Sequence, residues 1–197
     1  MKPSRRLRIF LPLLASLSTA HAQTWRWRGG ENENWQNSGN WRDESGIPDS
    51  DSATALFNAN SDRTSIDLSN DLRSVGQISF SGIDENHTLR NGILFNRGNL
   101  SIFPASTQTV TFASDLTYVQ TGSGTWFNTG GTAIFDAKLS GAGNIDLRGA
   151  YLFTHSNPYS RTLNIGTTFN QSGTAILGNS DASKTPPSPS TATTAST

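Results

Sequence analysis

Pairs of apolar residues separated by one polar residue recur through the middle of the chain. This period-two alternation places every second side chain on one face of the backbone and predicts half-buried β-strands. The pairs are Ile78 and Phe80, Leu100 and Ile102, Val110 and Phe112, Leu116 and Tyr118, Ile145 and Leu147, and Leu163 and Ile165. Clusters of Gly, Asn and Ser between the pairs predict turns, so the chain is expected to be all-β.

The spacing of about ten residues between these strands favours a sandwich, a barrel or a solenoid. A polar segment, 58–76, precedes them. Its first inward-facing positions are predicted to be Ile66, Leu68 and Leu72. Two pairs of adjacent apolar residues, Trp126-Phe127 and Ile134-Phe135, depart from alternation and predict a corner or an end of the stack. Alternation alone does not distinguish parallel from antiparallel pairing.

Residues 1–22 have the three parts of a secretory signal peptide. Four basic residues precede an apolar core, 9–17, which is shorter than the ~20 residues that a membrane-spanning helix needs. Ala20 and Ala22 fit the small-x-small cleavage rule, which predicts a mature N-terminus at Gln23. No later segment is apolar enough to cross a membrane as a helix. We therefore expect a secreted or cell-surface protein.

Four of the five tryptophans lie within residues 23–74, in a context rich in Gly and Asn. They are Trp25, Trp27, Trp35 and Trp41. A terminal element of a repeat protein must cover the apolar face of the first repeat, so this region is predicted to be an N-terminal cap. The alternative is a sugar-binding platform, because the apolar faces of sugars stack on aromatic rings.

Several phrases of the chain, in this order, resemble autotransporter-associated β-strand repeat proteins. In the N-terminal region they are Trp25-x-Trp27-x-Gly29, Gly39-Asn40-Trp41, Ile47-Pro48-x-Ser50-Asp51 and Ala55-Leu56-Phe57. Further on they are Leu139-Ser140-Gly141-Ala142-Gly143-Asn144-Ile145, Asn157-x-Tyr159-Ser160-x-Thr162-Leu163 and 173–182. The resemblance covers nearly all of the chain between the leader and Ala182.

The resemblance implies a bacterial surface or secreted protein whose passenger region is a right-handed parallel β-helix. We accordingly predict a cap over 23–74 and a solenoid over 75–182. A jelly-roll-like β-sandwich stays open as the alternative fold. The chain departs from the family at Arg161, where the repeat normally has Gly, and it contains about one full repeat signature.

Residues 183–197 have no large apolar side chain to bury and are predicted to be a disordered Ser/Thr/Pro tail. The change in composition falls in the middle of the repeat's closing phrase. This position suggests that the chain is a truncated or frameshifted product of a longer autotransporter-type protein.

The charge balance and the absence of cysteine limit the functions that we expect of this chain. Of the 197 residues 34% are hydrophobic and 15% are charged, and the formal net charge is +0. Such a balance gives no electrostatic reason to expect nucleic-acid binding. The chain has no Cys, so neither disulfides nor thiolate metal sites can stabilise it.

Few residues have the types and spacings that catalysis or metal binding needs. His87 and His155 are predicted to be solvated turn residues. Asp49-x-Asp51 and Asp84-Glu85-Asn86 offer oxygen ligands for Ca²⁺, but they lack the spacing of known calcium loops. The remaining polar candidates are isolated among neutral residues: Asp115, Asp136, Asp146, Lys138 and Arg148. We expect no catalytic residue, no cofactor and no metal site.

These observations lead to one principal hypothesis and two alternatives. The principal one is an exported structural or adhesive solenoid without catalytic activity. Its expected partners are a cell-surface or matrix polymer, or other copies that contact the last turn near Ile176 and Leu177. The alternatives are a secreted carbohydrate-binding module that uses the tryptophans, and a polysaccharide-degrading β-helix enzyme.

Overall fold

The computed structural model describes residues 22–43, 45–103 and 107–154, together with the backbone of 163–165 and 174–177. These residues form fifteen strands and one short 3-10 helix, Ser38–Asn40. In chain order the strands are β1 (Thr24–Trp27), β2 (Trp41–Arg42), β3 (Ser50–Asn58), β4 (Ser65–Ser81), β5 (His87–Asn96), β6 (Leu100–Phe103), β7 (Thr109–Phe112), β8 (Leu116–Gln120), β9 (Gly124–Asn128), β10 (Thr132–Phe135), β11 (Lys138–Gly141), β12 (Ile145–Arg148), β13 (Ala150–Phe153), β14 (Leu163–Ile165) and β15 (Thr174–Leu177).

The strands stack in three columns of parallel pairs. Column A contains β1, β3, the end of β4, β6, β9, β12 and β14. Column B contains the start of β4, the start of β5, β7, β10, β13 and β15. Column C contains the middle of β4, the end of β5, β8 and β11. The chain therefore winds through the columns as a parallel β-helix of about four turns.

The register shows the regularity of this winding. In column B, Leu89 pairs with Ile66 in the turn before it and with Phe112 in the turn after it, 23 residues away on either side. Parallel neighbours so close in sequence require a complete turn of chain between them. The parallel solenoid is thus confirmed. The jelly-roll alternative is wrong for the described strands, among which β1 and β2 form the antiparallel exception.

The interior is a continuous apolar ladder. Ten of the twelve residues in the six apolar pairs are buried; for the last pair, Leu163 and Ile165, the structure describes the backbone alone. Aromatic rings stack between turns, with centroids 4.7 Å apart for Phe57 and Phe80 and 4.1 Å for Phe112 and Phe135. Offset ring stacking adds about 0.5–1.5 kcal/mol per pair to the burial itself.

The first coil differs from the prediction at one position. Ile66 and Leu68 face inward and are fully buried, as expected, but Leu72 faces solvent with 49% of its surface exposed. Ser69 and Asn70 adopt positive φ angles of 57° and 59°, and the pairing with β5 shifts register there. Two left-handed residues change the phase of the alternation, so Leu72 points outward.

The structure also places the two irregular apolar pairs inside strands rather than at a corner. Trp126 and Phe135 are buried, whereas their neighbours Phe127 and Ile134 lie on the outer face. The expected corner or end of the stack is therefore wrong for both pairs.

Among the described strands, only β4 runs through all three columns. The repeating coil therefore begins at Ser65, which lies inside the segment 23–74 that we predicted to be the cap.

Candidate functional site

The four N-terminal tryptophans form one buried cluster at the start of the solenoid. Their exposed fractions range from 0% to 6%. Trp41 lies between two of the other rings, 5.0 Å from Trp27 and 4.7 Å from Trp35, centroid to centroid. All three also contact Phe57, which stacks on the first coil. The cluster therefore caps the aromatic ladder of the interior.

The polar edges of these indoles are also occupied. The Trp27 Nε1 donates to the carbonyl of Arg63 at 2.8 Å, and the Trp41 Nε1 donates to the carbonyl of Trp35 at 2.8 Å. A sugar would have to displace the cap to stack on any of the four rings. Burial of the tryptophans thus favours the capping role and counts against the sugar-binding platform.

A buried asparagine organises the loop that connects β1 to β2. Asn40 is fully buried, and its Oδ1 accepts hydrogen bonds from the backbone N–H groups of Glu31 and Asn32 at 3.0 and 3.1 Å. Its Nδ2 donates to the Asn32 side chain and to the Asn34 carbonyl, both at 2.8 Å. One side chain therefore satisfies four partners, which explains Asn in the phrase Gly39-Asn40-Trp41.

Asp49 and Asp51, the first of the two groups that offered oxygen ligands for Ca²⁺, are paired with arginines. Asp49 contacts Arg73 at 3.0 Å, and Asp51 contacts Arg97 at 2.9 Å. Arg73 faces inward above Leu94 and also contacts Asp71. Within the described residues, no group of three or more His, Asp or Glu side chains is arranged to hold a metal ion.

A second charged cluster lies at the corner between columns B and C. Arg90 contacts Glu33 of the cap at 2.9 Å and Asp67 of the preceding coil at 3.1 Å. The hydrogen bond to Glu33 raises the pKa of Arg90 above its ordinary value, because it stabilises the charged guanidinium. This contact attaches the cap loop to the second coil.

The isolated polar candidates do not converge on one site. Asp146 pairs with Arg148 along the outer face of β12 at 2.9 Å, and Arg148 lies 5.1 Å from the centre of the Phe127 ring. Asp136 accepts from the Thr154 hydroxyl at 2.7 Å. The Asp115 carboxylate accepts from the backbone N–H of Asn91 at 3.0 Å. Lys138 is exposed at the start of β11.

His87 is a correction to the sequence analysis, because it is 1% exposed rather than solvated. It occupies the first inward position of β5, with its ring 5.9 Å from Phe80 and 6.3 Å from Phe57. The Nδ1 lies 3.0 Å from the carbonyl oxygen of Glu85, and the Nε2 has no hydrogen-bond partner. Burial lowers the pKa of His87 below its ordinary value. His155 lies outside the described residues.

A buried amide network, which the sequence analysis missed, lines the corner between columns C and A. Gln120 donates through Nε2 to the carbonyls of Gly98 and Gly122 at 2.9 and 2.8 Å. Its Oε1 lies 3.3 Å from both the Asn96 Nδ2 and the Trp126 Nε1. The network holds turns of consecutive coils together. In the sequence, the network is indicated by the polar residues Asn96 and Gln120 at the last inward positions of β5 and β8.

The outer face of column C is unexpectedly apolar. Leu72 pairs in register with Ile93, and Phe95 pairs in register with Val119. Leu72 and Ile93 are 49% and 39% exposed, while Phe95 and Val119 are half-buried. Outward-facing apolar residues in register on neighbouring strands form a continuous patch, and such patches often mark interaction sites.

The predicted processing and contact positions lie mostly at the ends of the described chain. Ala20 lies outside it, whereas the carbonyl of Gln23 accepts a hydrogen bond from the Thr54 N–H at 2.8 Å. Ile176 and Leu177 pair in register with Leu152 and Phe153 through the backbone. Among the described residues, no helix is long and apolar enough to span a membrane.

Comparison with known proteins gives no match: no family model, no curated protein and no solved structure is significantly similar to this chain.

Proposed function

We propose that the chain is an exported, non-catalytic β-solenoid with a structural or adhesive role, similar to the passenger regions of autotransporter-associated β-strand repeat proteins. The observation that carries this proposal is a row of three hydroxyl side chains on the outer face of column B, before Ile134 continues the row in the next coil. Ser65, Thr88 and Thr111 are aligned in register there, so their hydroxyls repeat every ~4.8 Å. A flat, evenly spaced row of donors and acceptors suits contact with an extended polymer.

The ion pairs that several carboxylates form with arginines support a non-catalytic role. Glycoside cleavage needs two carboxyl groups on either side of a substrate, one of them able to hold a proton. Asp49, Asp71 and Asp146 instead form ion pairs with arginines of the same chain. These side chains stabilise corners and faces of the solenoid.

Export is supported by the position of the predicted cleavage site relative to the first described strand. Gln23, the first residue after that site, already pairs with Thr54, and β1 follows directly. Cleavage at that site would leave the cap intact. Expression of the full chain in a bacterial host should yield a protein outside the cytoplasm whose N-terminal residue, by mass spectrometry, is Gln23. A cytoplasmic product that keeps its leader would refute export.

Adhesion is tested with the exported chain coupled to beads and applied to surfaces coated with polysaccharides or matrix proteins. Replacing Thr88 and Thr111 by Glu should reduce bead retention, because the charges interrupt the hydroxyl ladder. The matched control replaces Thr54 and Thr125, on the outer face of column A, by Glu. Retention that is absent for the unmodified chain, or equal for ladder and control variants, would contradict the adhesive role of this face.

A further inference from the structure

We propose that the outer face of column C is the contact surface of a side-by-side homodimer. The two copies are related by a two-fold axis that lies in the interface, parallel to the strands and between β5 and β8. This proposal rests on the composition of the face and is independent of export or adhesion.

The face consists of two rows of side chains that cross four strands. One row contains Leu72, Ile93, Thr117 and Lys138, in register on β4, β5, β8 and β11. The other contains Ser74, Phe95, Val119 and Ser140. The four apolar side chains lie on β4, β5 and β8, whereas the β11 end of the face is polar and carries Lys138.

The two ends of the face have opposite charge. At the β4 end, Asp49, Asp51 and Asp71 face two arginines, Arg73 and Arg97, which leaves one negative charge unbalanced. At the β11 end, Lys138 makes no ion pair with any described residue. Opposite charges at the two ends of one face make it complementary to a second copy that runs in the reverse direction.

The two-fold axis brings complementary groups together. Reversal of the column order places Phe95 of one copy against Val119 of the other, and Ile93 against Thr117. Lys138 then lies over Leu72, so its alkyl stem covers the exposed leucine while its ammonium group reaches the acidic end. Because the contact is isologous, each pairing occurs twice.

The size of the face sets the expected affinity. Four strands at ~4.8 Å and five residues at ~3.3 Å give a surface of about 14 Å by 16 Å. This is smaller than the ~800 Å² per partner of a standard interface. We therefore expect a weak dimer, which forms at high protein concentration or at the high local density of a surface.

Sedimentation of the exported chain over a concentration series should show a monomer–dimer equilibrium. Ile93→Lys should raise the dissociation constant about tenfold or more, since symmetry removes two apolar contacts and places two charges in the interface. Lys138→Glu should also raise it, because like charges would then meet at both ends. Thr125→Lys, an outward substitution on column A, should leave it unchanged.

Cysteine cross-linking tests the arrangement of the two copies, because the chain has no native Cys. A short bismaleimide reagent should join a mixture of the Ile93→Cys and Thr117→Cys variants into the mixed dimer in preference to either homodimer, because facing sheets lie ~10 Å apart, too far for a direct disulfide. Preferential Ile93→Cys homodimers would overturn the proposed axis. A monomer at all concentrations, or an association that Ile93→Lys leaves unchanged, would overturn the proposal, and the latter result would indicate contact through the end of the solenoid.

Discussion

At the scale of single residues, the inward positions of the solenoid admit a few polar side chains, and each has a different physical consequence. Gln120 satisfies two carbonyls of neighbouring turns and therefore stabilises the corner. His87 has one nitrogen beside a carbonyl and the other facing an aromatic interior without a partner. A buried imidazole of this kind is tolerated only while it is neutral.

The burial of His87 predicts an acid-dependent loss of stability. Its pKa in the folded state is lowered from 6.5, so above pH 6.5 the residue is neutral in both states and has no effect. As the pH falls below that value, the unfolded chain binds a proton that the folded chain does not. The free energy of unfolding should then decrease by up to about 1.4 kcal/mol per pH unit until the folded-state pKa is reached.

Chemical denaturation of the wild type and of His87→Phe at several pH values tests this prediction. The difference between the two proteins should be constant above pH 6.5 and should grow in favour of the variant at lower pH. The contributions of the other histidines to the pH dependence are the same in both proteins and cancel in the difference. The acidic groups near His87 are Asp84 and Glu85 of its own loop, while Phe57, Phe80 and Val110 face it from neighbouring strands. Parallel pH profiles would contradict the prediction.

At the scale of elements, each short strand is stabilised mainly by the residues stacked above and below it. The strands of β6 to β13 contain four or five residues each, too few to form alone. Their inner side chains continue the ladder of the adjacent turns, and their backbones pair on both sides in the inner coils. The contribution of a side chain therefore depends on the face it occupies, more than on its type.

The pair Phe127 and Phe135 tests this dependence with one residue type. Phe135 is fully buried and stacks between Phe112 at 4.1 Å and Trp126 at 4.7 Å, whereas Phe127 lies on the outer face. Phe135→Ala should lower the free energy of unfolding by about 3–5 kcal/mol, because it leaves a cavity in the ladder. Phe127→Ala should cost ~1 kcal/mol or less. Equal costs in denaturant titrations would show that the inner ladder is not what stabilises the strands.

At the scale of the whole molecule, the solenoid is nearly one-dimensional, since each coil contacts the coils before and after it. In such proteins stability is the sum of the coils and of the interfaces between them, and the end units need a cap. The tryptophan cluster supplies this cap through Phe57, and the Arg90–Glu33 contact attaches it to the second coil.

Removal of one aromatic ring from the cap should therefore destabilise the neighbouring coils more than the distant ones. Trp27→Ala should accelerate amide hydrogen exchange in β3 and β4 most strongly, with a smaller effect in β9 to β12. Hydrogen-exchange mass spectrometry measures this gradient. Uniform loss of protection along the chain would contradict the one-dimensional description. Glycan binding that disappears in this variant while protection is retained would instead support the carbohydrate-binding alternative.

The sequence by itself determined the positions of six strands (β4, β6, β7, β8, β12 and β14) and the inward residues of the five whose side chains are described, and it predicted a capping role for the tryptophan region. These properties follow from local alternation and from composition, which need no knowledge of the neighbouring strand. The direction of pairing was not available from alternation and came from the resemblance in the sequence. The structure establishes it through register, as in the pairing of Leu89 with Ile66 and Phe112.

Only the tertiary structure decided which residues leave the pattern. Two residues in the left-handed conformation, Ser69 and Asn70, turn Leu72 outward, and the apolar–polar alternation of the sequence does not indicate this change of phase. His87 is buried because aromatic rings of two other strands, Phe57 and Phe80, pack against it. The apolar patch of column C likewise exists because Leu72 and Phe95 lie beside residues from other turns. Alternation is visible within a single strand, whereas stacking brings together residues that lie about one turn apart in the sequence. For this reason, only the folded chain showed which residues stack on one another.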